Sequence, residues 1–269
     1  MVAAPDETKT MRSVCVCLVT AMACTPRFAD TAAPLTDDTA TEPTEPTTST
    51  GSSPVAGPCA DWGFQALTGK WTGDLWQALA LAVQPQTCFD YSAATSHMFL
   101  TLDKRDNAVS CVYTGRSTPV YDTKPDPTDM NTEHTWPQSE GADVEPAKCD
   151  LHHLFPTDAE ANATRGSLPF GEATSGVSWE EGGSSIGQSV DGVTVFEPRD
   201  DHKGNVARAM LYFSARYSYP LEPSEITLYR SWDGMDPVDQ VELDRSLGIA
   251  DFQALPNPLV VCPELVSQL

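Results

Sequence analysis

The spacing of apolar residues along the chain predicts two amphipathic helices. Apolar side chains between residues 75 and 82 recur at helical spacing, and Asp74 suits the first turn of that helix. A second set recurs at helical spacing near residues 203–218 and consists of Val206, Ala209, Met210, Phe213 and Tyr217. We interpret this second stripe as core packing.

Shorter apolar runs predict strands. Residues 108–113, with the sequence AVSCVY, have strand character and are followed by Thr114 and Gly115, which suit a turn. Helices combined with a few short strands, without internal repeats, predict an α+β fold.

A strand–strand–helix unit is predicted between residues 134 and 166. Thr135 and Trp136 suit a strand, and residues 151–155 offer a second short strand before Pro156. Thr157 with Glu160 fits a capping box that begins a short helix, and Gly166 suits the end of that helix.

The N-terminal part of the chain predicts export. Residues 13–23 form an apolar stretch after Arg12 that is too short to span a membrane but fits a secretory signal. Cys24 follows small residues, as in a bacterial lipoprotein signal, and is therefore a candidate for lipidation. The alternative is an ordinary cleaved signal. We assign residues 1–24 to this export signal.

The next segment has the composition of a disordered linker. Residues 25–58 are rich in Thr, Pro, Ala, Ser and acidic residues, and they hold too few large apolar side chains to offset the entropy of ordering. The segment would act as a stalk. A folded domain is expected over residues 59–269.

The charge of the chain restricts its partners. Acidic residues outnumber basic residues 38 to 16 over 269 residues, which gives a formal net charge of −22. This excess argues against a protein that coats nucleic acid or an anionic membrane by charge alone. It does not exclude an enzyme that binds phosphate groups through a metal ion.

Five cysteines lie in the expected domain, and none forms a CxxC pair: Cys59, Cys88, Cys111, Cys149 and Cys262. In an exported protein this spacing favours disulfides over a structural zinc site. Cys59 with Cys262 and Cys111 with Cys149 are reasonable pairs.

Most candidate catalytic and metal-binding residues lie between residues 131 and 171. A chain with only five histidines places three of them there, together with carboxylates, an amide and a guanidinium. The candidates are Glu133, His134, Asp150, His152, His153, Asn162 and Arg165.

The motifs in this segment resemble a known family. NTEHTWPQS, DLHHLFPTD and AEANATRGSLPFG closely resemble the endonuclease I family, secreted or periplasmic bacterial nucleases with a ββα-metal (His-Me) finger. FEPRDDHKGNVARAMLYFSARY at residues 196–217 and NPLVVCPEL at residues 257–265 resemble two further blocks. The resemblance spans about residues 88–269.

The resemblance implies roles for individual residues. His134 matches the general base, and Glu133 and Asn162 match the metal ligands. Arg165 matches a nearby position to which we assign phosphate contact. Asp150, His152 and His153 are supporting candidates, and we interpret His153 as buried and structural.

The function implied is an exported or surface-anchored, sequence-nonspecific endonuclease that cleaves DNA, with RNA as a further substrate, and leaves 5′-phosphate ends. Mg²⁺ is the implied cofactor, with Mn²⁺ and Ca²⁺ as alternatives, and a monomer without a protein partner is expected. One alternative is an extracellular ribonuclease of the same family. Others are a zinc hydrolase that uses His134, His152 and His153, and a surface lipoprotein that only binds DNA.

Two features fit this assignment poorly. Nucleic-acid affinity depends on Lys and Arg, which are scarce here, although Lys203, Arg208 and Arg216 could form a local basic face. Consecutive residues of a strand point to opposite faces, so Glu133 and His134 can share a site only if the strand bends or ends there.

Overall fold

A computed structural model describes residues 57–84 and 90–269, and within them the fold is α+β, as predicted. The α-helices are α1 (Thr72–Ala82), α2 (Tyr91–His97), α3 (Ala159–Arg165), α4 (Lys203–Tyr217), α5 (Pro223–Met235), α6 (Gln240–Gln253) and α7 (Pro258–Val261). The strands are β1 (Ala108–Ser110), β2 (Ser117–Pro119), β3 (Met130–His134), β4 (Leu154–Asp158), β5 (Ser175–Glu181), β6 (Ser184–Gln188) and β7 (Thr194–Glu197). None of the described helices is long and apolar enough to span a membrane.

The strands form three small antiparallel sheets. β1 pairs with β2, β3 pairs with β4, and β5, β6 and β7 form a three-stranded sheet in that order. In the β3–β4 pair, Glu133 lies opposite Phe155 and His134 opposite Leu154. This register fixes the positions of Glu133 and His134, the two candidate site residues on β3.

Helix α4 is the centre of the core. It packs against α1, α5 and α7, and almost its whole length is buried. Its apolar stripe therefore has the predicted role. A helix buried on every side is held by tertiary packing rather than by its own helix propensity.

The basic residues of α4 are buried, so they form neither the local basic face that the sequence allowed nor a solvated helix face. Lys203, Arg208 and Arg216 are only 3%, 1% and 8% exposed. Lys203 pairs with Glu197, and Arg208 pairs with Glu242. Such buried cations are matched by carboxylates because an unpaired buried charge is costly.

Several predicted elements have different bounds in the structure. The strand at residues 108–113 ends at Ser110, where the chain turns and Gly115 donates to the carbonyl of Cys111. Residues 135 and 136 follow β3 rather than forming a strand, and β4 begins at Leu154 and continues through Pro156. The cap of α3 is the Asp158 carboxylate, not Thr157, which is buried within β4.

The cysteines confirm one suggested pair. Cys59 and Cys262 form a disulfide, which joins the first described residues to the C-terminal segment. Cys111 is a free, buried thiol, so the suggested Cys111–Cys149 pair is wrong. Cys24, Cys88, the export signal and the linker up to residue 56 lie outside the described residues, and the domain boundary near residue 59 stays a prediction.

Candidate active site

Strand β3, strand β4 and helix α3 together position the candidate residues. The chain passes directly from β4 into α3, because Asp158 Oδ1 accepts hydrogen bonds from the backbone N–H groups of Glu160 and Ala161. Glu133 and His134 lie at the end of β3, whereas Asn162 and Arg165 share a face of α3. The arrangement matches the strand–strand–helix order expected from the sequence.

These four residues line one open cleft of about 320 Å³. Its lining residues are Thr132, Glu133, His134, Pro137, Gln138, Ser139, Asn162, Arg165, Gly166 and Ser167. Glu133 and His134 both line it, although they are consecutive residues of β3 paired with Phe155 and Leu154. The two neighbouring strand positions therefore do share one site, at the end of the strand.

The imidazole of His134 is held by contacts to both ring nitrogens. Nε2 lies 3.1 Å from the carbonyl oxygen of Lys148, which can only accept, so Nε2 carries the proton. Nδ1 is then the acceptor, and it receives a hydrogen bond from the Gln138 side-chain amide at 3.2 Å. Burial lowers the pKa of His134 to about 3, so the ring is neutral at physiological pH.

Glu133 is a buried carboxylate with few partners. It is 2% exposed, and its Oε1 accepts a hydrogen bond from the Tyr113 hydroxyl at 2.8 Å and lies 3.4 Å from Arg165 Nη1. Burial raises its pKa, and the Arg165 charge opposes that rise. A cation beside this carboxylate would stabilise its ionised form.

The side chain of Asn162 is oriented by its amide nitrogen. Nδ2 donates to Asn131 Oδ1 at 2.7 Å and to the Thr132 carbonyl at 3.1 Å. Oδ1 is therefore the atom left to accept a hydrogen bond or to bind a cation. Together with the Glu133 carboxylate it offers an oxygen donor set, which suits a hard divalent ion.

Arg165 lines the cleft but is almost completely buried. It is 2% exposed, donates to the carbonyls of Gly166 and Thr135, and stacks on Phe170 with 4.5 Å between guanidinium and ring. These contacts fix the charge next to Glu133. Phosphate contact by Arg165 stays a prediction.

The remaining candidates do not line the cleft. Asp150 is fully buried and accepts hydrogen bonds from the hydroxyls of Tyr212 and Tyr217. His152 Nε2 lies 2.9 Å from the Leu255 carbonyl, and His153 Nε2 lies 2.7 Å from the Ala147 carbonyl. These contacts are typical of structural support.

The zinc alternative is not supported by this geometry. Over the described part of the chain, one group of His, Cys, Asp and Glu side chains has its atoms close enough for a shared metal ion, and it consists of Cys59, Cys262 and Glu264. Its two cysteines form the disulfide. The rings of His134 and His153 approach edge to face, and their Nε2 atoms serve different carbonyls.

Sequence reasoning missed three residues that support the site. Gln138 lies within the NTEHTWPQS motif, and Asn131 begins it, so their proximity to His134 could have singled them out. Tyr113 is twenty positions before Glu133 and gives no local signal. Only the tertiary fold brings it to the carboxylate.

The chain matches nucleases along most of its described length. The model of a family described as endonuclease I matches residues 75–264. An extracellular ribonuclease of Bacillus amyloliquefaciens is 30% identical over 81% of this chain and 82% of that protein, and an extracellular ribonuclease of Bacillus subtilis is 29% identical over 77% of each. An extracellular deoxyribonuclease of Aeromonas hydrophila is 31% identical over 41% of this chain and 48% of that protein.

Proposed function

Because the chain belongs to the endonuclease I family, we propose that it is an exported, metal-dependent endonuclease that hydrolyses phosphodiester bonds in DNA. The observation that carries this proposal is the meeting of Glu133, His134 and Asn162 in one cleft. The cleft is open, as cleavage within a long polymer requires.

His134 acts as the general base through Nδ1. The Lys148 carbonyl holds the proton on Nε2, which directs the free lone pair of Nδ1 toward Gln138 at the cleft. A water molecule that displaces the Gln138 amide would lie within hydrogen-bond reach of this lone pair. The imidazole can then take its proton as the water attacks phosphorus.

Glu133 and Asn162 would hold a divalent ion of the Mg²⁺ type, and Mn²⁺ or Ca²⁺ would suit the same oxygen donors. When bound, such an ion supplies positive charge to the phosphate and the leaving oxygen. Tyr113 and Arg165 keep the Glu133 carboxylate oriented, while Asn131 keeps Asn162 Oδ1 free for this role. As the water oxygen bonds to phosphorus, the P–O3′ bond would break, so the products would be a 5′-phosphate and a 3′-hydroxyl.

Export is part of the proposal. The N-terminal apolar stretch has the features of a secretory signal, and the relatives described above carry names that place them outside the cell. The Cys59–Cys262 disulfide suits an oxidising compartment. Lipidation at Cys24 would add a surface anchor.

RNA is the second candidate substrate. The two Bacillus ribonucleases match about four fifths of this chain, whereas the deoxyribonuclease matches less than half of it. This difference favours RNA as a substrate alongside DNA. Parallel digestion of RNA and DNA of the same sequence decides between the two.

Plasmid digestion with and without EDTA tests the proposal. The purified protein should degrade DNA with Mg²⁺ and lose this activity with EDTA, and His134→Ala should be inactive while its circular dichroism spectrum is unchanged. Gln65→Ala, an exposed position in the first described helical turn, is the control and should keep full activity. A fully active His134→Ala protein would refute the proposed mechanism.

A further inference from the structure

A second pocket adjoins the proposed cleavage site. It has a volume of about 220 Å³, and its walls are formed mainly by the apolar or aromatic side chains of Tyr91, Phe99, Pro125, Pro127 and Met130. Lys124 and Asn131 add polar groups. A small, mainly apolar pocket with a few polar groups is a suitable site for one planar ring system.

This pocket and the cleft share a lining residue. Thr132 lines both, and Asn131 lines the pocket while its Oδ1 holds the proposed metal ligand Asn162. The Tyr91 ring also stacks on His134, with 5.5 Å between the ring centroids and 30° between the planes. A group bound in the pocket would therefore lie next to the proposed cleavage site.

The lysines around this pocket have no acidic partners among the described residues. Lys124 Nζ donates to Thr95 Oγ1 at 2.9 Å, and Lys148 Nζ lies 5.4 Å from the centroid of the Tyr91 ring. By contrast, five other cations are paired with carboxylates: Arg116, Arg199, Lys203, Arg208 and Arg245.

The pocket thus combines the aromatic ring of Tyr91 with two lysines, Lys124 and Lys148, that form no ion pair with a carboxylate among the described residues. Single-stranded nucleic acid is bound by this combination, because cations follow the backbone while aromatic rings stack with unpaired bases. A base inside a duplex cannot enter such a slot without leaving its stack, which costs free energy. A pocket that accepts a base would therefore favour strands with unpaired bases over duplexes.

We propose that the pocket formed by Tyr91, Phe99 and Lys124 binds the unpaired base of a nucleotide adjoining the scissile phosphate. The inference rests on the proposed nuclease function and adds a preference for single strands to it. Lys124 neutralises a neighbouring phosphate, and Tyr91 supplies the aromatic surface for the base.

The test compares initial rates on three substrates with Mg²⁺. These are a single-stranded DNA oligonucleotide, the same strand annealed to its complement, and bis(p-nitrophenyl) phosphate, which has no base. The wild-type protein should cleave the single strand faster than the duplex. Lys124→Ala should raise KM for the single strand about fivefold to tenfold, with kcat and the rate on the base-free diester unchanged.

A matched control and a second variant distinguish a general loss of positive charge from a loss of base binding in the pocket. Lys70→Ala removes the same charge from an exposed lysine that lines neither the pocket nor the cleft, and it should leave KM unchanged. Tyr91→Leu keeps an apolar side chain but removes the ring, so the ratio of single-strand to duplex rates should fall toward one. Because this ratio cancels any change in His134, it reports base binding.

Three results would overturn the inference. Equal wild-type rates on single strand and duplex, or Lys124→Ala and Lys70→Ala with the same KM, refute the pocket while leaving the nuclease proposal intact. A wild-type protein that hydrolyses none of the three substrates refutes both. His134→Ala with wild-type rates refutes the proposed mechanism alone.

Discussion

The hydroxyl of Tyr113 donates a hydrogen bond to Oε1 of Glu133 over 2.8 Å, and both side chains are buried. Tyr113 follows β1, and its ring packs against Phe196 of β7. The carboxylate at the end of β3 is therefore oriented by parts of the chain that lie far from the candidate motif. Residues that orient a metal ligand in this way commonly affect metal affinity.

Tyr113→Phe should raise the Mg²⁺ concentration needed for half-maximal activity by about tenfold or more. The variant keeps the ring packing but removes the hydrogen bond that fixes Glu133 Oε1. Activity at saturating Mg²⁺ should recover most of the wild-type value. The measurement is the initial rate of DNA cleavage as a function of Mg²⁺ concentration.

Tyr212→Phe is the matched control for this prediction. It also removes a hydrogen bond between a buried tyrosine and a buried carboxylate, in this case Asp150, which does not line the cleft. Its Mg²⁺ requirement should equal that of the wild type. Equal requirements for Tyr113→Phe and Tyr212→Phe would show that Tyr113 does not support a metal site.

His152→Ala should lower stability without changing the chemistry. His152 is 4% exposed, its Nε2 lies 2.9 Å from the Leu255 carbonyl, and its ring meets Tyr212 edge to face. The lost hydrogen bond and the cavity should cost about 2–4 kcal/mol in the free energy of unfolding. Denaturant unfolding and kcat per folded molecule measure the two effects separately.

His134→Ala is the control variant for His152→Ala. His134 lines the cleft, so its replacement should abolish cleavage with a smaller change in unfolding. An inactive but fully stable His152→Ala protein would instead place His152 in the chemistry.

Local sequence patterns predicted the parts of this protein that depend on neighbours in the chain. The apolar stripe of residues 206–217 predicts α4 because a helical repeat is visible within a few turns. The motif around His134 likewise brings Glu133 and Asn162 into one cleft through a short β3–β4–α3 unit. Both features are local in sequence.

Features that depend on distant partners were not predictable in this way. Arg208 resembles a surface cation in the sequence, yet it is buried against Glu242, which lies 34 positions later. Thr157 and Asp158 are both good capping residues, and the pairing of β4 with β3, which buries Thr157, leaves Asp158 as the cap. Cys111 and Tyr113 likewise acquire their roles only through tertiary packing.

Removal of the Cys59–Cys262 disulfide should destabilise the domain. The bond closes a loop across 203 positions, and long loops give the largest entropy loss in the unfolded chain. Cys59→Ser should lower the free energy of unfolding by about 3–5 kcal/mol, measured by denaturant titration under oxidising conditions.

Cys111→Ser is the control for this change. It makes the same atomic replacement at a buried cysteine that forms no disulfide, so its cost should be about 1 kcal/mol. Reductant should destabilise the wild type more than it destabilises Cys59→Ser. A Cys59→Ser protein as stable as Cys111→Ser would show that the disulfide contributes little.

His202 should make the stability of the protein depend on pH. It is 6% exposed, its ring meets Phe155 edge to face, and its Nε2 has no hydrogen-bond partner among the described residues. Burial, together with the charges of Arg245, Arg199 and Arg208, lowers the pKa of His202 to about 3. In the unfolded chain the pKa returns to about 6.5.

The sign of the effect follows from these two pKa values. Between about pH 6.5 and pH 3 the unfolded chain binds a proton at His202 that the folded protein does not bind, so stability falls as the pH falls. His202→Phe removes this proton and also the unpartnered nitrogen. Relative to the wild type, it should gain up to about 1.4 kcal/mol of stability for each pH unit below 6.

Urea unfolding at several pH values between 7 and 5 measures this difference. His202→Gln should show the same weaker pH dependence, because it also lacks the titrating ring, although its absolute stability differs. His97→Gln is the matched control, since His97 is only half-buried and should contribute a smaller pH dependence. Parallel pH curves for His202→Phe, His202→Gln and the wild type would mean that His202 already binds its proton in the folded protein.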